Sequence, residues 1–88
     1  MNAPALTIMI DRDGRFFVGS DEVMGEGIEA LKQAIARHAG DSRDQAVTIR
    51  ADAMTPNQNV VTAMDALGQL GFTRLSIATT PSKPGAAQ

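Results

Sequence analysis

The chain has 88 residues, with 10 acidic and 8 basic side chains and a formal net charge of -2. This length supports one domain with a modest core, and the weak, scattered charge argues against nucleic acid as the main partner. The absence of cysteine excludes disulfides and thiolate metal sites. No apolar run approaches the roughly 18–20 residues that a membrane-spanning helix needs.

The first half of the chain predicts two strands and a helix. We expect strands over Ala5–Ile10 and Arg15–Val18, joined by a turn in which Gly14 takes a positive φ. A loop follows, with a short extended piece at Glu22–Val23. The helix is predicted over about Gly25–Ala39, because apolar residues recur there at helical spacing.

The second half predicts a strand, a loop and a second helix. Residues Val47–Ala51 alternate between apolar and polar, as a half-buried strand requires. Asp52 should hold the loop through backbone N–H groups, and Thr55 is the expected N-cap. Pro56 fits the first helical turn, where its missing N–H has no intrahelical partner, and Gly71 is the expected C-cap.

A last strand completes the predicted fold. Leu75, Ile77 and Thr79 alternate with small or polar residues, so we expect the face they share to lie in the core. The order ββαβαβ indicates an α+β or α/β two-layer sandwich, with two helices against a mixed sheet. Strands two, three and four should form its parallel part, and at least one sheet edge should be free. The domain should span residues 5–80, with disordered ends over residues 1–4 and 81–88.

Several side chains invite a chemical interpretation. The only histidine, His38, should lie at the surface in the last turn of the first helix, where a cation favours the helix dipole. Met9, Met24 and Met64 should fill the core, whereas Met54 lies in a loop and could be exposed. No catalytic constellation is visible, so we expect neither an enzyme nor a cofactor.

One motif keeps a nucleotide-binding α/β domain open as an alternative. The segment Gly25–Ala30 fits G-x-G-x-x-A and opens the predicted helix, as in dinucleotide sites. However, the loop Gly19–Met24 separates the preceding strand from the first glycine, and Glu26 would put a negative charge beside a pyrophosphate. We therefore favour a flexible helix entry.

Two stretches carry a family resemblance. The sequences LTIMIDRDGRFFVGSDEV and VTIRADAMTPNQNVVTAMDALGQLGFTRLSIAT resemble the periplasmic domain of the ExbD/TolR family, from Leu6 to Thr79. That family also has a cytoplasmic tail and one transmembrane helix with an essential acidic residue, and neither is found here. The resemblance thus implies a soluble fragment of a single-pass protein at the periplasmic face of the bacterial inner membrane, with its proton-handling residue outside the fragment.

The resemblance also implies a function in energy transduction. Such proteins form a homodimer, work with an ExbB/TolQ-type channel and use the proton-motive force to energise a TonB- or TolA-type protein. We favour ExbD, and thus uptake through TonB, over a TolR-like subunit that binds peptidoglycan.

Partner and dimer contacts are expected at specific positions. The partner surface should include the loop after the third strand and the last strand, with the residues Arg50, Asp52, Met54, Asn57, Leu75 and Ile77. The first strand should cross between protomers, with Leu6, Ile8 and Ile10 as the dimer contacts. We expect an extended partner segment to add to a free edge formed by the first or the last strand.

Overall fold

The computed structural model of the chain describes residues 5–25 and 27–80, so the predicted disordered ends lie outside the described residues. The described elements are β1 (Leu6–Ile10), β2 (Phe16–Val18), β3 (Asp21–Glu22), α1 (Gly27–Ala39), β4 (Val47–Asp52), α2 (Asn57–Leu70) and β5 (Leu75–Thr80). The predicted α+β fold, with a mixed sheet and two helices, is confirmed. The short extended piece is a strand, β3, one residue earlier than expected.

The strands form one sheet in the order β3-β2-β1-β4-β5. β1 pairs antiparallel with β2 and parallel with β4, and β4 pairs parallel with β5. The parallel part is therefore β1, β4 and β5, and the prediction that the second strand belongs to it is wrong. β3 folds back onto β2 and takes its outer edge. β4, the strand that follows α1, therefore pairs with the edge of β1 that β2 does not occupy.

Both helices cover the same face of the sheet. Strand residues alternate between buried and more exposed along β1 and β4, which shows that one face is covered and the other is not. The buried core is aliphatic apart from one phenylalanine, and its members are Leu6, Ile8, Ile10, Val18, Leu31, Ala34, Ile35, Val47, Ile49, Ala51, Ala63, Ala66, Leu67 and Phe72.

The helix layer stops short of β5. α1 contacts β2, and α2 contacts β1 and β4. Lys32 Nζ donates to Gln69 Oε1 at 2.8 Å, so the Gln69 side of α2 faces α1. Met64 lies on the opposite side of the helix, towards β5, since successive residues turn by about 100°. Ile77 is 50% exposed, and the prediction that it lies in the core is wrong because no helix covers it.

The C-terminus of α2 is capped as predicted. Gly71 has φ 98° in the left-handed region, which a residue without Cβ adopts at low cost. Its N–H donates to Gly68 O, and the N–H of Phe72 donates to Leu67 O at 3.0 Å. This arrangement satisfies carbonyl groups at the helix end and turns the chain into β5.

The N-terminus of α2 differs from the prediction. Pro56 occupies the N-cap position, and no side chain caps the helix there. The Thr55 hydroxyl instead lies 3.2 Å from Ile10 O and 2.9 Å from Asp11 O, as a donor to both. The N-cap prediction for Thr55 is therefore wrong, because the hydroxyl joins the loop to the end of β1.

Candidate partner-binding edge

β5 ends the sheet and has a neighbouring strand on one side only. N–H groups from the β4 side donate to the carbonyl oxygens of Arg74 and Thr80, both at 2.8 Å. Because backbone groups alternate in direction along a strand, the even-numbered residues of β5 bond towards β4. The N–H and C=O groups of Leu75, Ile77 and Thr79 consequently point away from the sheet, where another strand can pair with them.

Apolar side chains line this edge on the helix side. Ile77 lies beside the buried Ile49 in the register of β4 and β5, so both side chains point towards the helix layer. Ile77 is 50% exposed, and Met64, on the side of α2 away from α1, is 42% exposed. We call Met64 and Ile77 the edge strip.

The opposite edge of the sheet is much less suited to pairing. β3 has only two residues, Asp21 and Glu22, and both are acidic and exposed. Asp21 Oδ2 lies 3.1 Å from Nε2 of His38, which is in the last turn of α1, as predicted. A short charged edge discourages the addition of another strand.

The predicted partner residues do not form one surface. Asp52 Oδ1 accepts the N–H of Met54 at 2.8 Å, which confirms that this carboxylate holds the loop. Met54 is 62% exposed, as expected, and Asn57 begins α2. Arg50, however, alternates with the buried residues of β4 and lies on the uncovered face. The sheet thus separates Arg50 from the side chains of Leu75 and Ile77.

The predicted dimer residues lie in the core. Leu6, Ile8 and Ile10 are buried, with exposures of 6%, 0% and 1%. Their strand, β1, is paired on both sides, with β2 and β4. They can reach a second copy only if the whole strand is exchanged between copies.

The sequence interpretation missed the contribution of Met64 to the edge strip. It assigned Met9, Met24 and Met64 to the core, but these side chains are 46%, 81% and 42% exposed, so that prediction is wrong.

The described residues offer little for chemistry. A cavity of about 340 Å³ lies between the β3 region and α1, lined in part by Val23, Met24, Ala34 and His38. Residues 5–25 and 27–80 contain no group of three or more side chains suited to hold a metal ion. β3, which precedes the glycine motif, is an antiparallel edge strand, whereas a dinucleotide fingerprint follows a parallel strand.

Comparison with known families gives an extensive match. Residues 1–82 match the family described as Biopolymer transport protein ExbD/TolR, and this range includes all the described elements. A comparison with individually curated proteins gives no match. In the part of the chain that the structure describes, no helix is long and apolar enough to cross a membrane. The chain belongs to the ExbD/TolR family, whose members are energising subunits of biopolymer transport.

Proposed function

We propose that the chain supplies the periplasmic domain of an ExbD-type subunit, which helps to energise a TonB-type protein for uptake across the outer membrane. The family match over residues 1–82 carries this proposal. The full protein would be anchored in the inner membrane beside an ExbB-type channel. This domain would perform no catalysis, and its contribution would be to associate with a second copy and to bind the partner.

The partner would bind as an extra strand at β5. The outward backbone groups of Leu75, Ile77 and Thr79 support this mode, since they can form a ladder with an extended segment. The edge strip would contact apolar side chains at alternate positions of that segment. Affinity is expected to be weak, because ordering a flexible segment offsets part of the contact energy.

Chemical-shift mapping tests this binding mode. The titrant is the periplasmic linker of a TonB-type protein from the same organism, and we expect the largest amide shifts at Leu75, Ile77 and Thr79. Amides of β2, at the far side of β1, serve as the internal control. Shifts confined to α1 and α2 would rule out strand addition.

The same titration distinguishes an ExbD-type domain from a TolR-type domain. A linker from a TolA-type protein of the same organism is the matched competitor. Tighter binding of the TonB-type linker supports the ExbD assignment, and tighter binding of the TolA-type linker supports a TolR-like subunit instead.

A homodimer is the second part of the proposal. The core is small and contains a single buried phenylalanine, so association would add stability. Sedimentation over a range of concentrations tests it. A strict monomer at millimolar concentration would contradict it.

A further inference from the structure

The imidazole of His38 is held by the short turn that joins β2 to β3. Its Nε2 lies 3.1 Å from Oδ2 of Asp21, the first residue of β3. The ring also lies against the backbone of Gly19, where a Cβ would be 3.3 Å from its Cε1 and 3.4 Å from its Nδ1. Gly19 has φ 63°, so a residue without Cβ suits both the turn and the close approach of the ring. The last turn of α1 is thus joined to β3 through a single side chain.

β3 has few other contacts that hold it in place. It consists of two exposed residues, and its neighbour in the sheet is β2. The next residue, Val23, is half-buried, and its N–H donates to Phe16 O at 2.8 Å. A strand that is held by so few backbone bonds opens more easily than the inner strands of the sheet. The position of β3 should therefore be sensitive to the strength of the contact with His38.

The charged groups around the imidazole come from β3 and from α1. Asp21 and Glu22 on β3, and Arg37 beside His38 on α1, line the same cavity of about 340 Å³. An imidazole ordinarily gains or loses its charge between about pH 5 and pH 8. A protonated ring bonds to a carboxylate more strongly than a neutral ring does, because both partners are then charged. Acidification within this range thus strengthens the contact with Asp21, and a higher pH weakens it.

β3 covers the outer edge of β2, which is free when β3 is open. We propose that His38 and Asp21 form a clasp controlled by one proton. The clasp keeps β3 closed on β2 while the imidazole is protonated, and it lets β3 open more often when the imidazole is neutral. Opening exposes the outward backbone groups of β2, so the domain gains a second sheet edge whose availability depends on pH. This inference does not rest on the proposed function, which concerns the edge at β5.

Amide hydrogen exchange over a range of pH tests the clasp. The reporter is the protection factor of the Val23 amide, which bonds to Phe16 O and is corrected for the intrinsic exchange rate at each pH. We expect it to fall about two- to fivefold between about pH 5.5 and pH 8, the effect of a partly exposed pair, since the side chains of His38 and Asp21 are 31% and 75% exposed. The amide of Gly19 bonds to the β1 side and is the internal control. A Val23 protection factor that stays constant over this range would overturn the proposal.

Substitutions in the clasp identify the groups that are responsible. His38→Gln keeps a hydrogen-bond donor that does not titrate, and Asp21→Asn removes the carboxylate charge with little change in size. Both variants should fold and should make the protection of Val23 nearly independent of pH. Glu22→Gln is the matched control, since it removes the neighbouring carboxylate and should leave the pH dependence in place. A pH dependence that persists in His38→Gln, or one that Glu22→Gln abolishes as fully as Asp21→Asn does, would contradict the clasp.

The ring of His38 reports the controlling proton directly. The chain has one histidine, so the ring C–H resonances of this residue are identified without ambiguity. The protection of the Val23 amide should follow the same titration curve as these resonances. A change at Val23 in a pH range where the ring does not titrate would assign the effect to another group and refute the proposal. If the clasp behaves as expected but a TonB-type linker does not shift the β5 amides, the pH-dependent edge holds and the proposed partner site fails.

Discussion

Two isoleucines on neighbouring strands show where the helices stop covering the sheet. Ile49 and Ile77 are register partners and point to the same side, but Ile49 is fully buried and Ile77 is 50% exposed. Ile49→Ala should lower the free energy of unfolding by about 2–5 kcal/mol, because it leaves a cavity. Ile77→Ala should cost about 1 kcal/mol or less. Urea titration of both variants at a concentration that keeps the domain monomeric measures the difference, and equal costs would contradict the position of β5.

The same pair shows how far periodicity predicts burial. The alternation in each strand correctly indicates which side chains share a face. It does not indicate whether a helix covers that face, since coverage depends on where α2 lies across the sheet. Val47–Ala51 is an inner strand and the prediction of buried residues there was right, whereas Ile77 lies beyond the helix layer.

One arginine joins the ends of the two helices. Arg43 Nε donates to Leu70 O at 2.7 Å, and its Nη1 donates to Gly40 O at 2.8 Å. Its guanidinium carbon lies 5.0 Å from the centre of the Phe72 ring. Arg43→Ala should lower the free energy of unfolding by about 1–3 kcal/mol, because it leaves the partly buried Leu70 carbonyl without its donor and removes the contact with the Phe72 ring.

A lysine at this position should not restore the lost stability. Its single ammonium group cannot reproduce two separated donors and a planar group over the ring. Thermal unfolding of Arg43→Ala and Arg43→Lys, with exposed Arg12→Ala as the control, makes the comparison. A lysine variant as stable as the unmodified chain would show that charge alone accounts for the effect.

The turn after β1 is coupled to α2. Gly14 has φ 87°, and a Cβ at this position would lie 2.8 Å from Asn59 Nδ2, which donates to Gly14 O at 3.0 Å. Gly14→Ala should cost about 1–2 kcal/mol for the left-handed backbone, with a further cost for the clash. Asn59→Ala should cost about 1 kcal/mol for the lost bond.

The double variant should cost less than the sum of the single variants, because the clash disappears with the asparagine side chain. A double-mutant cycle in urea measures this coupling. Strict additivity would show that the two residues do not interact across the turn.

The ends of the elements were predicted well, because they depend on residues that are close in the sequence. Contacts between distant segments, such as strand pairing, were predicted less well from the sequence. Gly14 and Gly71 are needed for backbone conformations within a few residues of themselves, so the sequence identifies them. Thr55 bonds to Ile10 and Asp11, far away along the chain, and nothing local distinguishes this from an N-cap. The parallel part was misassigned for a similar reason, since the return of β3 onto β2 decides which edge remains free.

The assembled sheet defines the candidate site. The resemblance to the family implies a partner, and the alternation in residues 75–79 predicts a strand. Which strand lies at the edge follows from the sheet order, in which the first strand is central and the last is terminal. The predicted site residues on β5 therefore lie at the free edge, while those predicted for the dimer lie in the core.

Amide hydrogen exchange should report the free edge directly. In a dilute, monomeric sample, the amides of Ser76, Ala78 and Thr80 should exchange slowly, because they bond to β4, while those of Leu75 and Ile77 should exchange fast. Adding an excess of the TonB-type linker should slow exchange at the odd-numbered positions and leave the even-numbered ones nearly unchanged. Equal exchange rates along β5 in the dilute sample would contradict the assignment of outward groups and, with it, the use of this edge by a partner strand.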